Sequence, residues 1–260
     1  MSSPTPPGKF VIVNADDFGY SAGINRGIIA AHVRGIVTST SVMVRWPAAA
    51  EAAAVGRDHP DLSLGLHVDL GEWAYRDGGW APVHTVLSES DAASPAAVEA
   101  EVARQVDGFR ALAGRDPTHL DSHQHAHRSE PLRSVLAAAG ARLGVPVRHG
   151  DPRVRYCGDF YGQGRHGEPY PQGITAEHLA HALSTVAGGV TEFACHPGLG
   201  TDHGSAYAAE RGAEVDALCH PAVRAAADAA GVRFVSFRAL RRTGIGGFRS
   251  SGLGRTHTLP

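Results

Sequence analysis

The chain has 260 residues, 43% hydrophobic and 19% charged, enough apolar material for a full core in one domain and too much for a disordered chain. A formal charge of −2 and an isoelectric point near 6.8 leave no basic face for nucleic acid or an anionic membrane. That balance belongs to neutral pH, because protonating all 16 histidines would add sixteen charges to the formal −2. No apolar run approaches the ~20 residues of a membrane span. Residues 1–8 lack the charged and apolar regions of a secretory signal. Cys157, Cys195 and Cys219 are odd in number and lack metal-type spacing. A cytoplasmic protein with free thiols is expected. It would form one domain over 9–240, between mobile segments at 1–8 and 241–260.

In chain order, residues 10–14 form a short apolar strand ending in polar residues, and Ser21 is placed to cap a helix over 21–34. Residues 36–44 are β-branched and strand-like, 47–55 form an Ala-rich helix opened by Pro47, and 62–70 form a third strand. A long helix spans 95–112, with Val98, Val102, Val106 and Phe109 at i+3 and i+4 spacing. Strands at 118–122 and 145–148 flank a helix at 131–143. Helices at 175–187 and 214–230 then alternate with strands at 190–195 and 233–237. About seven strands alternating with helices imply a parallel sheet with right-handed crossovers. A (β/α) barrel, closed or incomplete, fits this length better than an open doubly wound sheet. Residues 71–94 and 150–173 read as long loops, of the kind that cover or line binding sites.

Chemistry gathers where strands end. Asn14, Asp16 and Asp17 follow the first strand, and His67 and Asp69 close the third. His119, Asp121, His123, His125 and His127 crowd the fourth, and His196 follows the strand at 190–195. In parallel α/β folds those carboxyl ends share one face, where active sites form. Singly, each motif has a plain structural explanation: an acidic pair can cap a helix, and a lone histidine can be hydrogen-bonded in a core. The alternating run is harder to explain that way. If it stays extended, its odd-numbered side chains share one face, where buried imidazoles need a metal ion or carboxylates as partners. A carboxylate with two imidazoles is a common divalent-metal shell with positions left open. An acidic pair suits divided duty, one member on the ion and its neighbour on the attacking water, with a histidine opposite as proton donor. These parts specify metal-assisted hydrolysis of an amide or ester; no Gly-x-Ser-x-Gly elbow is present.

Val-Asn-Ala-Asp-Asp-Phe-Gly (13–19), Ser21-x-x-x-Asn25-x-x-Ile28, Gly-Ile-Val-Thr-Ser-Thr (35–40), Gly-Leu-His (65–67), Thr-His-Leu-Asp-Ser-His-Gln-His-x-His (118–127) and Cys-His-Pro-Gly (195–198) together resemble the YdjC-like carbohydrate deacetylases, which include the chitooligosaccharide deacetylases. The resemblance runs in order over about 9–237. It implies a (β/α) barrel-like fold related to polysaccharide deacetylases. It also implies one divalent ion per chain, Mg or Zn foremost, serving removal of N-acetyl groups from a small sugar, and a homodimer. By position Asp17, His67 and His123 match the metal ligands, Asp16 the general base and His196 the general acid. The order of duties within the Asp16–Asp17 pair is the open point. His125 and His127 are then extra, for holding ligands or contacting substrate, as are Asn14 and Asp69, while Asp121 would orient His123 or His67. Trp73, Tyr75 and Trp80 offer flat faces for a pyranose ring, or else pack their loop onto the barrel. Arg153, Arg155, Tyr156, Tyr161 and Tyr170 could line the same cleft.

Three other readings compete. A non-haem iron oxygenase could use His67-x-Asp69 and a distal histidine, but such triads usually sit on double-sheet β folds. An amidohydrolase could use His125-x-His127, but there the pair lies near the first strand. A metal- or sugar-binding protein without turnover would need neither the acid nor the base that Asp16 and His196 supply.

Overall fold

The computed structural model describes residues 8–200 and 207–242, so the expected mobile segments lie outside the described residues, except for Gly8 and two residues of the last helix. The first half of the chain forms β1 (Lys9–Phe18), α1 (Ala22–Val33), β2 (Ser39–Val42), α2 (Ala49–Asp58), β3 (Ser63–Val68), β4 (Gly71–Arg76), β5 (Gly79–Thr85), α3 (Glu89–Ala92) and α4 (Pro95–Ala113). The second half forms β6 (Leu120–Ser122), a 3-10 helix (His123–Arg128), α5 (Leu132–Leu143), β7 (Val154–Cys157), a second 3-10 helix (Pro171–Ile174) and α6 (Ala176–Thr185). It closes with β8 (Gly189–Cys195), α7 (Glu210–Cys219), α8 (Pro221–Ala229), β9 (Val232–Phe234) and α9 (Phe237–Arg242).

The main sheet runs β6-β3-β2-β1-β8-β7, every pair parallel, with β9 joined to the first residues of β1. This is the expected (β/α) barrel in its incomplete form. β6 gains one bridge, Leu120 to Val147, but no ladder carries the sheet on to β7. Helices cover the outside. Val98, Val102, Val106 and Phe109 of α4 are buried as their spacing requires, each such side chain worth about 1.5–3 kcal/mol. Among the described residues no helix is long and apolar enough to cross a membrane, and the three cysteines are free.

Several elements differ from expectation for identifiable reasons. The supposed loop at 71–94 is mostly an antiparallel hairpin, β4 with β5, turned at Asp77 and Gly78, both of positive φ. The supposed strand at 145–148 makes only the single bridge, and the neighbouring strand is β7, inside the second supposed loop. The helix expected at 214–230 is two helices, because Pro221 cannot continue α7 and instead starts α8, capped by His220 Nδ1. Phe237 begins α9 rather than ending a strand. The histidine run is not extended. The chain leaves β6 after Ser122, and Gln124 and His125 take φ of 48° and 52°, so period-two alternation fails at Gln124.

β1 does not end at Asn14 but runs on to Phe18 through the acidic pair. Ala15 pairs with Thr40 and Phe18 with Val42, so three steps on β1 match two on β2, and Asp17 has a φ of 69°. This β-bulge breaks the alternation of faces, which lets adjacent carboxylates serve one site. Gly65 has a steric duty: a Cβ there would lie 2.3 Å from the ring of His119, the residue just before β6. That ring stacks on Phe237, with centroids 3.9 Å apart. Gly65→Ala is therefore expected to cost about 1–3 kcal/mol of overpacking strain, read as a lower urea midpoint. Burial also pushes the His119 imidazole down to about 4. The unfolded chain binds a proton below its own value near 6.5 that the folded chain refuses, so stability is full above that pH and falls as pH drops toward 4. His119→Gln should flatten this acid slope in urea melts.

Candidate active site

Asp17 from the β1 bulge, His67 from the end of β3 and His123 from the start of the 3-10 helix converge. Asp17 Oδ1 lies 3.4 Å from His67 Nε2 and 3.2 Å from His123 Nδ1. Neither contact has hydrogen-bond geometry, so Oδ1 is a buried acceptor without a hydrogen-bond partner. One donor atom from each of the three lies within 4.8 Å of the others. Asp17 Oδ2 is held by Arg211 at 2.6 Å, which outweighs burial and keeps the carboxyl well below the usual range. Burial opposes charge on His67, yet Asp121 and Asp16 lift it to about 10, and the neighbouring carboxylates of Asp17 and Glu72 lift His123 to about 9 against the same penalty. This corner is short of positive charge. An acidic oxygen between two imidazoles in such a field has the chemistry of a divalent-cation site.

Asp16 is engaged differently. Arg148, fully buried, grips it with two bonds of 2.7 and 2.8 Å, and also reaches Asp121 at 3.0 Å and Glu192 at 2.7 Å. Burial would raise the Asp16 carboxyl, but the guanidinium wins and holds it far below the ordinary value, ionised. Both oxygens of Asp16 are thus taken by a cation the chain supplies itself, whereas Asp17 keeps one open. Asn14 and Ser41 add hydrogen bonds to Asp16 at 2.8 and 3.3 Å. Of the two histidines, Asp121 orients His67, through its Nδ1 at 2.7 Å.

His196 follows β8 and brings Nε2 to 3.8 Å from Asp16 Oδ2. Its turn is pinned by the backbone N–H donating to Glu214 and by Arg211 donating to its carbonyl at 3.2 Å. Gly27 of α1 lets the turn approach, since a Cβ there would lie 2.4 Å from Gly198 Cα. Burial pushes the His196 imidazole down to about 4 and the Glu214 carboxyl up to about 8, so the imidazole rests neutral.

The cleft above these groups has a volume of about 750 Å³. Trp73, Tyr75 and Trp80 of the hairpin line it, as do His125, Tyr156 and Tyr161. Arg153, Arg155 and Tyr170 do not: Arg153 pairs with Asp151, and Arg155 binds the carbonyls of Ala187 and Gly188. Asp69 is also outside the cleft. Its carboxylate accepts from Trp46 Nε1 and Gly71 N and meets His84, which fixes the base of the hairpin. His127 is buried behind the wall, against Ser122 at 2.7 Å. Arg148, Arg211, Glu72, Glu214 and Tyr207 were not legible as site residues. They lie on helices, the hairpin or irregular segments, outside the strand-end pattern that marks the others.

A family model described as YdjC-like protein matches residues 10–229. A carbohydrate deacetylase of Geobacillus stearothermophilus is 31% identical over 251 residues, covering 88% of this chain and 97% of the relative. A chitooligosaccharide deacetylase of Serratia marcescens is 32% identical over 262 residues, covering 89% and 99%. A crystal structure of an Enterococcus faecalis V583 protein named for cellobiose-phosphate cleavage superposes with a TM-score of 0.72 at 25% identity, covering 90% and 99%. The polysaccharide deacetylase Bc1974 from Bacillus cereus shares the fold, with a TM-score of 0.52 at 12% identity over 88% and 91%.

Because three carboxylates face the buried Arg148 guanidinium, Arg148→Met should leave unpaired buried charge and cost about 3–5 kcal/mol, seen as a lowered thermal midpoint. Arg148→Lys should recover only part of it, since an ammonium cannot reproduce the two-point grip on Asp16.

Proposed function

The chain belongs to the YdjC-like family, and on that premise we propose that it is a metal-dependent carbohydrate deacetylase, removing the N-acetyl group of an amino sugar or short chitooligosaccharide. The observation that carries the reading is the division within the acidic pair. Asp17 keeps a buried oxygen open between His67 and His123, while Asp16 is gripped by Arg148 beside His196.

Asp17, His67 and His123 would hold the ion, and Asp121 would keep the far nitrogen of His67 engaged so that Nε2 faces it. When bound, a divalent ion polarises a carbonyl oxygen and acidifies water, so that even a weakly basic carboxylate can take its proton. Asp16 is that carboxylate: ionised, and unable to swing away while Arg148 holds both oxygens. It orients the attacking water and receives its proton. His196 rests neutral, within 3.8 Å of Asp16, and carries a proton to the departing amine during turnover. Glu214 and Arg211 hold the turn that positions it. The substrate's acetyl carbonyl enters between these groups, and its pyranose ring lies against Trp73 and Trp80, 38% and 57% exposed.

Acetate release from N-acetylated sugars, including short chitooligosaccharides, tests the reading with metal-stripped protein before and after divalent ions are restored. Release that returns with metal is expected; a metal-loaded protein silent across the panel would sink the deacetylase assignment. Asp16→Asn should keep metal and lower kcat by roughly 10²–10⁴-fold, whereas His67→Ala should lose metal and turnover together. Retained turnover in Asp16→Asn would remove that residue from the base role. Trp80→Ala should raise KM for oligosaccharides with little change in kcat.

A further inference from the structure

We propose that His125, His127 and His149 form a second metal site, for a transition-metal ion of the Zn²⁺ or Ni²⁺ class, in the wall of the cleft. One nitrogen of each lies within 4.8 Å of the others. The ring centroids stand 5.3 to 5.8 Å apart. His127 Nδ1 bonds Ser122 Oγ at 2.7 Å, and His125 Nε2 bonds the Tyr156 hydroxyl at 3.1 Å. In each ring the opposite nitrogen, His127 Nε2 or His125 Nδ1, is buried without a hydrogen-bond partner. Metal-ligating imidazoles have this arrangement, one nitrogen fixed by a neighbour and the other left as a lone pair.

Packing alone does not account for it. Four rings in edge-on and tilted contact, Tyr156 included, could be apolar at no loss, whereas two stranded buried nitrogens carry a desolvation cost. The backbone is strained at the same place. Gln124, His125 and His149 have φ of 48°, 52° and 61°, unfavourable for residues with a Cβ, and two of the three are members of the triad. His149 arrives from a separate segment, just past the Val147 bridge. Three nitrogen donors without a carboxylate suit borderline-soft transition metals and not Mg²⁺. His125 also lines the cleft, so the site adjoins the substrate space.

The site is distinct from Asp17, His67 and His123, and it stands whether or not the chain is a deacetylase. Metal-stripped protein titrated with Zn²⁺, with bound zinc counted by elemental analysis, should reach two ions per chain. Mg²⁺ in the same titration should not compete for the triad. His149→Ala, at an exposed position, should lose one ion or bind it at least about 10–100-fold more weakly, the range seen for lost outer-shell partners. An Asp17→Asn, His67→Ala double variant should keep the triad's ion and show the visible absorption of nitrogen-coordinated Co²⁺ when cobalt replaces zinc. No zinc in the Asp17→Asn, His67→Ala variant, or an unchanged count and affinity in His149→Ala, would overturn the proposal.

Discussion

The buried guanidinium of Arg148 is the constraint on which the rest of the site depends. It lies where the barrel fails to close, past the Leu120–Val147 bridge, and it reaches carboxylates on β1, β6 and β8. Backbone pairing would ordinarily hold that seam. Here an ionic tie does so, and the tie also fixes the charge and orientation of Asp16. Three acids around one base leave the pocket short of positive charge. Arg211 makes up part of the deficit at Asp17, and the lifted affinities of His67 and His123 for protons show that the deficit persists.

The bulge in β1 is the second requirement. An extended strand sends neighbouring side chains to opposite faces, so two adjacent aspartates in one cleft need an extra residue in the register. With the left-handed turn at Asp17 that extra residue is supplied, and the two carboxylates meet different cations: Arg148 takes both oxygens of Asp16, while Arg211 takes one oxygen of Asp17 and leaves the other open between two imidazoles. A single-residue difference in position thus separates a carboxylate gripped at both oxygens from one that keeps an oxygen open.

Much of this was legible in the residues. Alternating apolar and Ala-rich runs carry the parallel sheet and its helices, because strand and helix periodicities are local. The strand-end positions of Asp16, Asp17, His67, His123 and His196 carry the site, because parallel topology brings those ends together. What was not legible depends on contacts distant in sequence or on short-range turn chemistry. The hairpin at 71–85 was hidden by its polar, weakly alternating residues. Asp69, next to the His67 motif, was indistinguishable from a site carboxylate until its partners Trp46 and His84 were known. Arg148 and Arg211 had no motif around them, since a guanidinium can reach its carboxylate from any element. Alternation through the histidine run was a reasonable expectation that failed at Gln124, whose amide leaves the strand path to clasp the backbone of Trp73 in two 2.8 Å bonds.

That clasp bears on how such a protein can diversify. β4 and β5 pair with each other and not with the barrel sheet. The hairpin is therefore a modular appendage, joined near its root by Asp69 and by Glu72, which meets His123 and Tyr20, and along its side by the Gln124 amide. Its tip can be lengthened, shortened or repainted with other aromatic residues without disturbing a single strand of the scaffold. New substrate preferences can accumulate there while the reactive centre is inherited unchanged.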